Sequence, residues 1–180
     1  THTLTLNGLY KGEHNSSLIS LIVKHQNTSS DVLLNIAASE KELDIIRSVC
    51  LNTNSNEAVL STVNRRFPDD FHSEIASHPA TSAELLVTLY KSKDPYVRAA
   101  VVKHQHCPLS TIKIAVTDDN LIIKRHLASN KKLPVNYIQQ LVTDPDPTVR
   151  RAIASNASVP ASVAMTLVND ETVMVRRALA

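Results

Sequence analysis

Positive charge recurs along this chain at a fixed interval. His72, Arg98, Lys124, Arg150 and Arg176 stand 26 residues apart, and Arg47, Arg125, Arg151 and Arg177 fill the next position in the same register. A base repeated once per structural unit builds a stripe suited to phosphates or acidic side chains. The first row has a competing structural use: Asp118, Asp144 and Asp170 each precede one of its bases by six residues, so pairing there would brace a turn. The second row lies about 200° around a helix from the apolar residue that opens each unit. It is expected to face solvent, which makes its arginines the better contact set. The candidate binding ladder is therefore Arg98, Lys124, Arg125, Arg150, Arg151, Arg176 and Arg177.

Charge is unevenly spread around the net value of +2. Residues 1–90 hold 6 basic and 10 acidic side chains, whereas residues 91–180 hold 13 and 7. A basic C-terminal half is compatible with nucleic acid. However, the chain has no Trp, four Tyr and two Phe, which leaves little for base stacking, so such binding would be mostly to backbone.

Other chemistry is less well supported by spacing. Asn52, His78, His104, Asn130 and Asn156 share one register position, with His25 nearby in a shorter copy. Asn and His near a helix C-terminus can satisfy its last carbonyls, and a hydrogen-bonding ladder is the expected use. His104, His106 and Cys107 cluster within one turn, but not at a standard metal-ligand spacing, and neighbouring units lie too far apart to share an ion. Asp69-Asp70 and Asp118-Asp119 are paired carboxylates of the kind found in solvated turns, and no nucleophile elbow or metalloprotease motif accompanies them. Gly8 and Gly12 are the two glycines, which excludes a glycine-rich phosphate loop. Neither a catalytic residue nor a cofactor or metal is assigned.

The elements that must position these residues follow from the same period. Ile45, Phe71, Val97, Ile123, Val149 and Val175 each open a stretch with i, i+3, i+4 apolar spacing, one face of a short helix. Eleven residues on, Pro108, Pro134 and Pro160 suit the first turn of a second helix, with Ser82 and Asn56 in that position upstream. That helix buries Leu85, Leu86, Leu89 and Tyr90 in one copy, and Tyr137, Ile138, Leu141 and Val142 in another. Copies start near 20, 45, 71, 97, 123 and 149, and a truncated one starts at 175; the array therefore reads as part of something longer. Residues 1–17 differ, with a strand-and-turn signal at Leu4, Leu6 and Asn7-Gly8, and are expected to form an irregular cap.

The unit resembles the leucine-rich repeat variant family, HEAT-like bacterial helical repeats. Asp144-Pro145, Val149-Arg150-Arg151, Ala154, Asn156, Pro160 and Leu167 carry the resemblance best; it covers 71–180 well and 20–70 loosely. It implies a right-handed superhelix of α-helices alternating with 3₁₀ or short α-helices. One relative carries a cysteine-ligated iron–sulfur cluster ahead of its repeats, a feature without counterpart here. HEAT-like alkylpurine DNA glycosylases grip duplex DNA with a similar architecture, but no motif here resembles their catalytic site.

Composition agrees with a soluble globular protein, 43% apolar and 20% charged. Cys50 shares a core register with Ala76, Val102, Ala128 and Ala154, while Cys107 lies in an interhelix turn two units on. Helices packed about 8–10 Å apart put the two thiols beyond the ~7 Å Cα limit for a bridge. Free thiols, and no signal-peptide pattern or long apolar run, fit a cytoplasmic location with no membrane partner. The expectation is an all-α, right-handed solenoid of about six two-helix repeats. It would act as a non-enzymatic scaffold for a protein partner, with electrostatic nucleic-acid binding as the alternative.

Overall fold

The computed structural model describes residues 15–179. Most of the expected N-terminal cap, residues 1–14, lies outside them. Among the described residues the chain is all-helical and contains no strand. Helices alternate between two roles. The first of each pair are α1 (Ser16–Lys24), α3 (Leu43–Leu51), α5 (His72–Ser77), α7 (Pro95–Lys103), α9 (Leu121–Ala128), α11 (Pro147–Ala154) and α13 (Val173–Arg177). The second are α2 (Ser30–Ser39), α4 (Glu57–Arg66), α6 (Ala83–Leu89), α8 (Leu109–Ala115), α10 (Val135–Leu141) and α12 (Ala161–Ala164), which runs into a 3₁₀ turn at Met165–Leu167.

Side-chain caps set where the first helices start. Asp94, Asn120 and Asp146 each accept a hydrogen bond from the backbone N–H two residues on, at 2.8, 2.9 and 2.7 Å, and Pro95 and Pro147 follow at the first helical position. The prolines that open the second helices stand one position earlier than expected. Pro108, Pro134 and Pro160 are N-caps, with φ of −66°, −62° and −58°, and the helix begins at the next residue. Their fixed φ still aims the chain into the helix, and no side-chain cap bond accompanies them. Asn56 caps α4 through its side chain at 3.1 Å.

Contacts gather the chain into two compact units, with the boundary between Leu85 and Leu86. In the N-terminal unit α1 packs on α3, α3 on α5 and α2 on α4, burying Ile22, Leu33, Ile36, Ile46, Leu60 and Ile75 completely. Among the described residues Phe71 is the non-glycine residue with positive φ, 58°. Its buried ring meets Phe67 edge-on at 5.7 Å, an anchor that offsets the cost of the left-handed backbone. In the C-terminal unit α7, α9, α11 and α13 pack in sequence. Their apolar faces join those of α8, α10 and α12 in one core around Ile123, Leu127, Ile138, Leu141, Val149 and Ile153.

Candidate functional site: an arginine row on the first helices

The first basic row is built into the fold, but not by the expected pairing. Arg150 donates to the backbone carbonyls of Asp144 and Pro145 at 2.9 and 3.0 Å, and to the carboxylate of Asp170 at 2.7 and 3.1 Å. The aspartate six residues upstream thus offers its carbonyl, and the salt bridge is made to the aspartate of the following repeat. Lys124 repeats the pattern with Asp144 at 3.1 Å. Arg98 holds the carbonyls of Ser92 and Lys93, and Arg176 those of Asp170 and Glu171. Each aspartate also orders its own turn: Asp118, Asp144 and Asp170 accept the N–H two residues on at 2.8, 2.9 and 2.8 Å. Bonding to Arg150, then the Thr172 N–H, holds the Asp170 carboxyl below its usual range, and Asp170 in turn raises the Arg150 guanidinium. Lys124 and Arg150 therefore brace one turn against the next, while Arg98 and Arg176 tie down the turn before their own helix.

The second row behaves differently. Arg125, Arg151 and Arg177 are exposed at equivalent positions of α9, α11 and α13, and none of the three makes an ion pair or side-chain hydrogen bond among the described residues. Their upstream counterpart Arg47 is committed, paired with Glu74 and stacked over the Phe71 ring at 5.4 Å. In α7 the same position is Ala99, which is buried, so the row starts at Arg125.

Two open clefts run between these helices. The larger, about 650 Å³, lies between α11 and α13 and is lined by Arg151, Ser155, Val173, Met174 and Arg177. A smaller one of about 180 Å³ lies between α9 and α11, against Arg125, His126, Ser129, Thr148 and Arg151. Arg151 and Ser155 belong to both. Burial, then Lys103 and Arg125, pushes the His126 imidazole below its ordinary value. Asp146 feels Arg125 weakly, but its carboxylate is occupied by the N–H and hydroxyl of Thr148.

The Asn/His column is structural. Asn130 donates to the carbonyls of Val102 and His104 at 2.7 and 3.3 Å, and Asn156 to those of Ala128 and Asn130 at 2.8 and 3.1 Å. Each amide oxygen accepts the N–H two residues on, from Lys132 or Ser158. In the N-terminal unit Asn52 does the same toward Val23 and His25. His78 imitates it: Nδ1 accepts from Ala80, which leaves the Nε2–H to donate to the Asn52 carbonyl at 3.1 Å. His104 likewise accepts the His106 N–H on Nδ1. Among the described residues no cluster of His, Cys, Asp and Glu could hold a metal ion.

A position that sequence reading passed over lies three residues beyond this column. Thr28, Ser55 and Thr81 are buried and donate to the carbonyls of Ile22, Val49 and Ile75, closing their first helices. In the C-terminal unit Cys107, Leu133 and Val159 replace them with apolar bulk against the core. A third cleft, about 450 Å³, lies beside Cys50, Glu74, Ser77 and His78 in the N-terminal unit. Burial pushes the Cys50 and Cys107 thiols up to about 12, so both stay protonated and poorly nucleophilic at neutral pH. Both are free. Among the described residues no helix is long and apolar enough to cross a membrane. No protein-family model matches the chain, and no curated protein matches it.

Proposed function

We propose that this chain is a right-handed, LRV- or HEAT-like solenoid of about six two-helix repeats, working in the cytoplasm as a non-enzymatic scaffold that binds another protein. One contrast carries the reading. Two basic rows run in adjacent register; the first is consumed by contacts inside the fold, while Arg125, Arg151 and Arg177 stand exposed and unpaired beside clefts on successive helices. Three unpaired guanidinium groups aligned on one face add little to folding stability and are free to meet a partner. The 26-residue recurrence of capping, bracing and ladder residues supports a stacked array in which each repeat satisfies its neighbour.

The test is selection from a random-peptide display library on the folded protein, followed by hydroxyl-radical footprinting of the complex. Enriched peptides that protect the outer face of the first helices are expected. No enrichment, or protection confined to the second helices, would sink the reading. Nucleic-acid binding draws on the same three arginines and is the second reading. Micromolar binding of duplex DNA or single-stranded RNA, falling steeply with salt and lost when all three become Ala, would put it first.

A further inference from the structure

Resting on that scaffold reading, we propose that the row Arg125, Arg151 and Arg177 is the recognition site for an extended acidic peptide that crosses α9, α11 and α13 and seats an apolar side chain on Val173 and Met174. The geometry is periodic. The three arginines repeat once per helix, and packed helices lie about 8–10 Å apart. A peptide extended in the polyproline II conformation rises about 3.1 Å per residue with three residues per turn, so every third side chain falls on the same face and three residues advance the peptide by about one helix. Carboxylates at every third position therefore meet Arg125, Arg151 and Arg177 in turn, each within reach of a bidentate contact.

Charge alone would admit a phosphate backbone as readily. The floor of the larger cleft decides between them. Val173 and Met174, 48% and 45% exposed, line it together with Arg151 and Arg177. An apolar ledge beside two cations suits a peptide with a leucine or phenylalanine between its acids, and it offers nothing to a sugar-phosphate chain. No Phe, Tyr or Trp lines either cleft, and the half-buried His126 ring of the smaller one is the one ring there that could stack a base. The Ser155 hydroxyl, shared by both clefts, is placed to donate to the peptide backbone or to the central carboxylate.

The site keeps a net positive charge. The C-terminal unit, residues 86–180, holds 13 basic and 7 acidic side chains. Asp144 and Asp170 are bound to Lys124 and Arg150, and Asp146 caps its helix, so none of these three carboxylates is free to neutralise the row.

The experiment is fluorescence anisotropy with a labelled twelve-residue peptide carrying three glutamates at every third position and a leucine between the second and third. Comparison probes are the same peptide with glutamine for glutamate, one with the three glutamates adjacent, a twelve-nucleotide oligo(dT) and a twelve-base-pair duplex. Binding in the micromolar range is expected for the spaced peptide, several-fold weaker for the adjacent one and undetectable for the glutamine one. Each of Arg125→Ala, Arg151→Ala and Arg177→Ala should weaken it about threefold, and the triple variant on the order of 30-fold. Met174→Ser should weaken it severalfold without changing its salt dependence. Lys131→Ala with Lys132→Ala, which removes two exposed charges away from the clefts, should leave affinity within about twofold. Equal binding of spaced and adjacent peptides, insensitivity to the triple variant, or tighter binding of either oligonucleotide would overturn the proposal. If the acidic peptides fail while library-selected peptides still footprint on the first helices, the acidic specificity is wrong and the scaffold reading survives. If both fail, both are wrong.

Discussion

Removing the Arg150 guanidinium should cost more than removing any other base of the ladder. Its side chain is 9% exposed, that of Asp170 is 5% exposed, and the two are joined by paired bonds of 2.7 and 3.1 Å. Arg150→Met keeps the aliphatic stem and deletes five donors. It leaves the Asp170 carboxylate with the N–H and hydroxyl of Thr172 and strips a bond from the carbonyls of Asp144 and Pro145. Breaking a fully buried pair costs about 3–5 kcal/mol. Few protein atoms lie beyond this pair, so solvent screening puts the expected loss at about 2–3 kcal/mol. The Glu171 contact adds little, because that carboxylate is largely exposed. Asp170→Asn should cost about 1–2 kcal/mol, and the double variant little more than Arg150→Met, a coupling of about 1–2 kcal/mol. Urea denaturation followed by circular dichroism measures all four corners of the cycle. Because the Asp170 carboxyl is held below its usual range, its stabilisation is full above about pH 4 and is lost as pH falls through the folded value. The Asp170→Asn variant should therefore lose less stability than the parent as pH falls below about 4. A coupling below about 0.3 kcal/mol, or an unchanged acid limb, would refute the bracing argument.

Other outcomes follow from the same geometry. Asn156→Ala removes two donors to the preceding turn and one acceptor, and should cost about 2 kcal/mol by chemical denaturation, whereas Asn156→His should recover at least half, because His78 already fills that role elsewhere. In NMR titration His126 should have a pKa below about 6.5, and Lys103→Met should move it upward without restoring it, since burial is the larger cause. The corresponding stability is complete above about pH 6.5 and declines as pH falls through the folded value, because the unfolded chain binds the proton first. Cys50 should resist an aromatic disulfide reagent at pH 8 until the protein is unfolded, given a thiol raised to about 12 by burial; rapid labelling in the folded state would contradict that environment. Lys124→Met should cost about 1 kcal/mol, less than Arg150→Met, since a single ammonium contact at 3.1 Å replaces a forked pair.

The helices were legible because apolar spacing and capping chemistry act locally. Val149 and Ile153 declare a buried face, and Pro160 marks a helix start to within one residue, with no partner needed to make the inference. The bracing partners were not, and the reason lies in the period itself. Asp144 stands six residues before Arg150 and Asp170 stands twenty after it, so a repeat of 26 makes the two indistinguishable as aligned positions. Only packing reveals that the near aspartate offers a carbonyl and the far one a carboxylate. The row at Thr28, Ser55 and Thr81 was hidden for a different reason: its C-terminal counterparts are Cys107, Leu133 and Val159, and no polarity is shared along the column. Each buried hydroxyl reaches a carbonyl six residues back, which lets a polar and an apolar side chain occupy equivalent places. The candidate site falls between these cases. A helical wheel sets Arg125, Arg151 and Arg177 outward, but only the pairing of the adjacent row separates arginines that build the fold from arginines left for a partner.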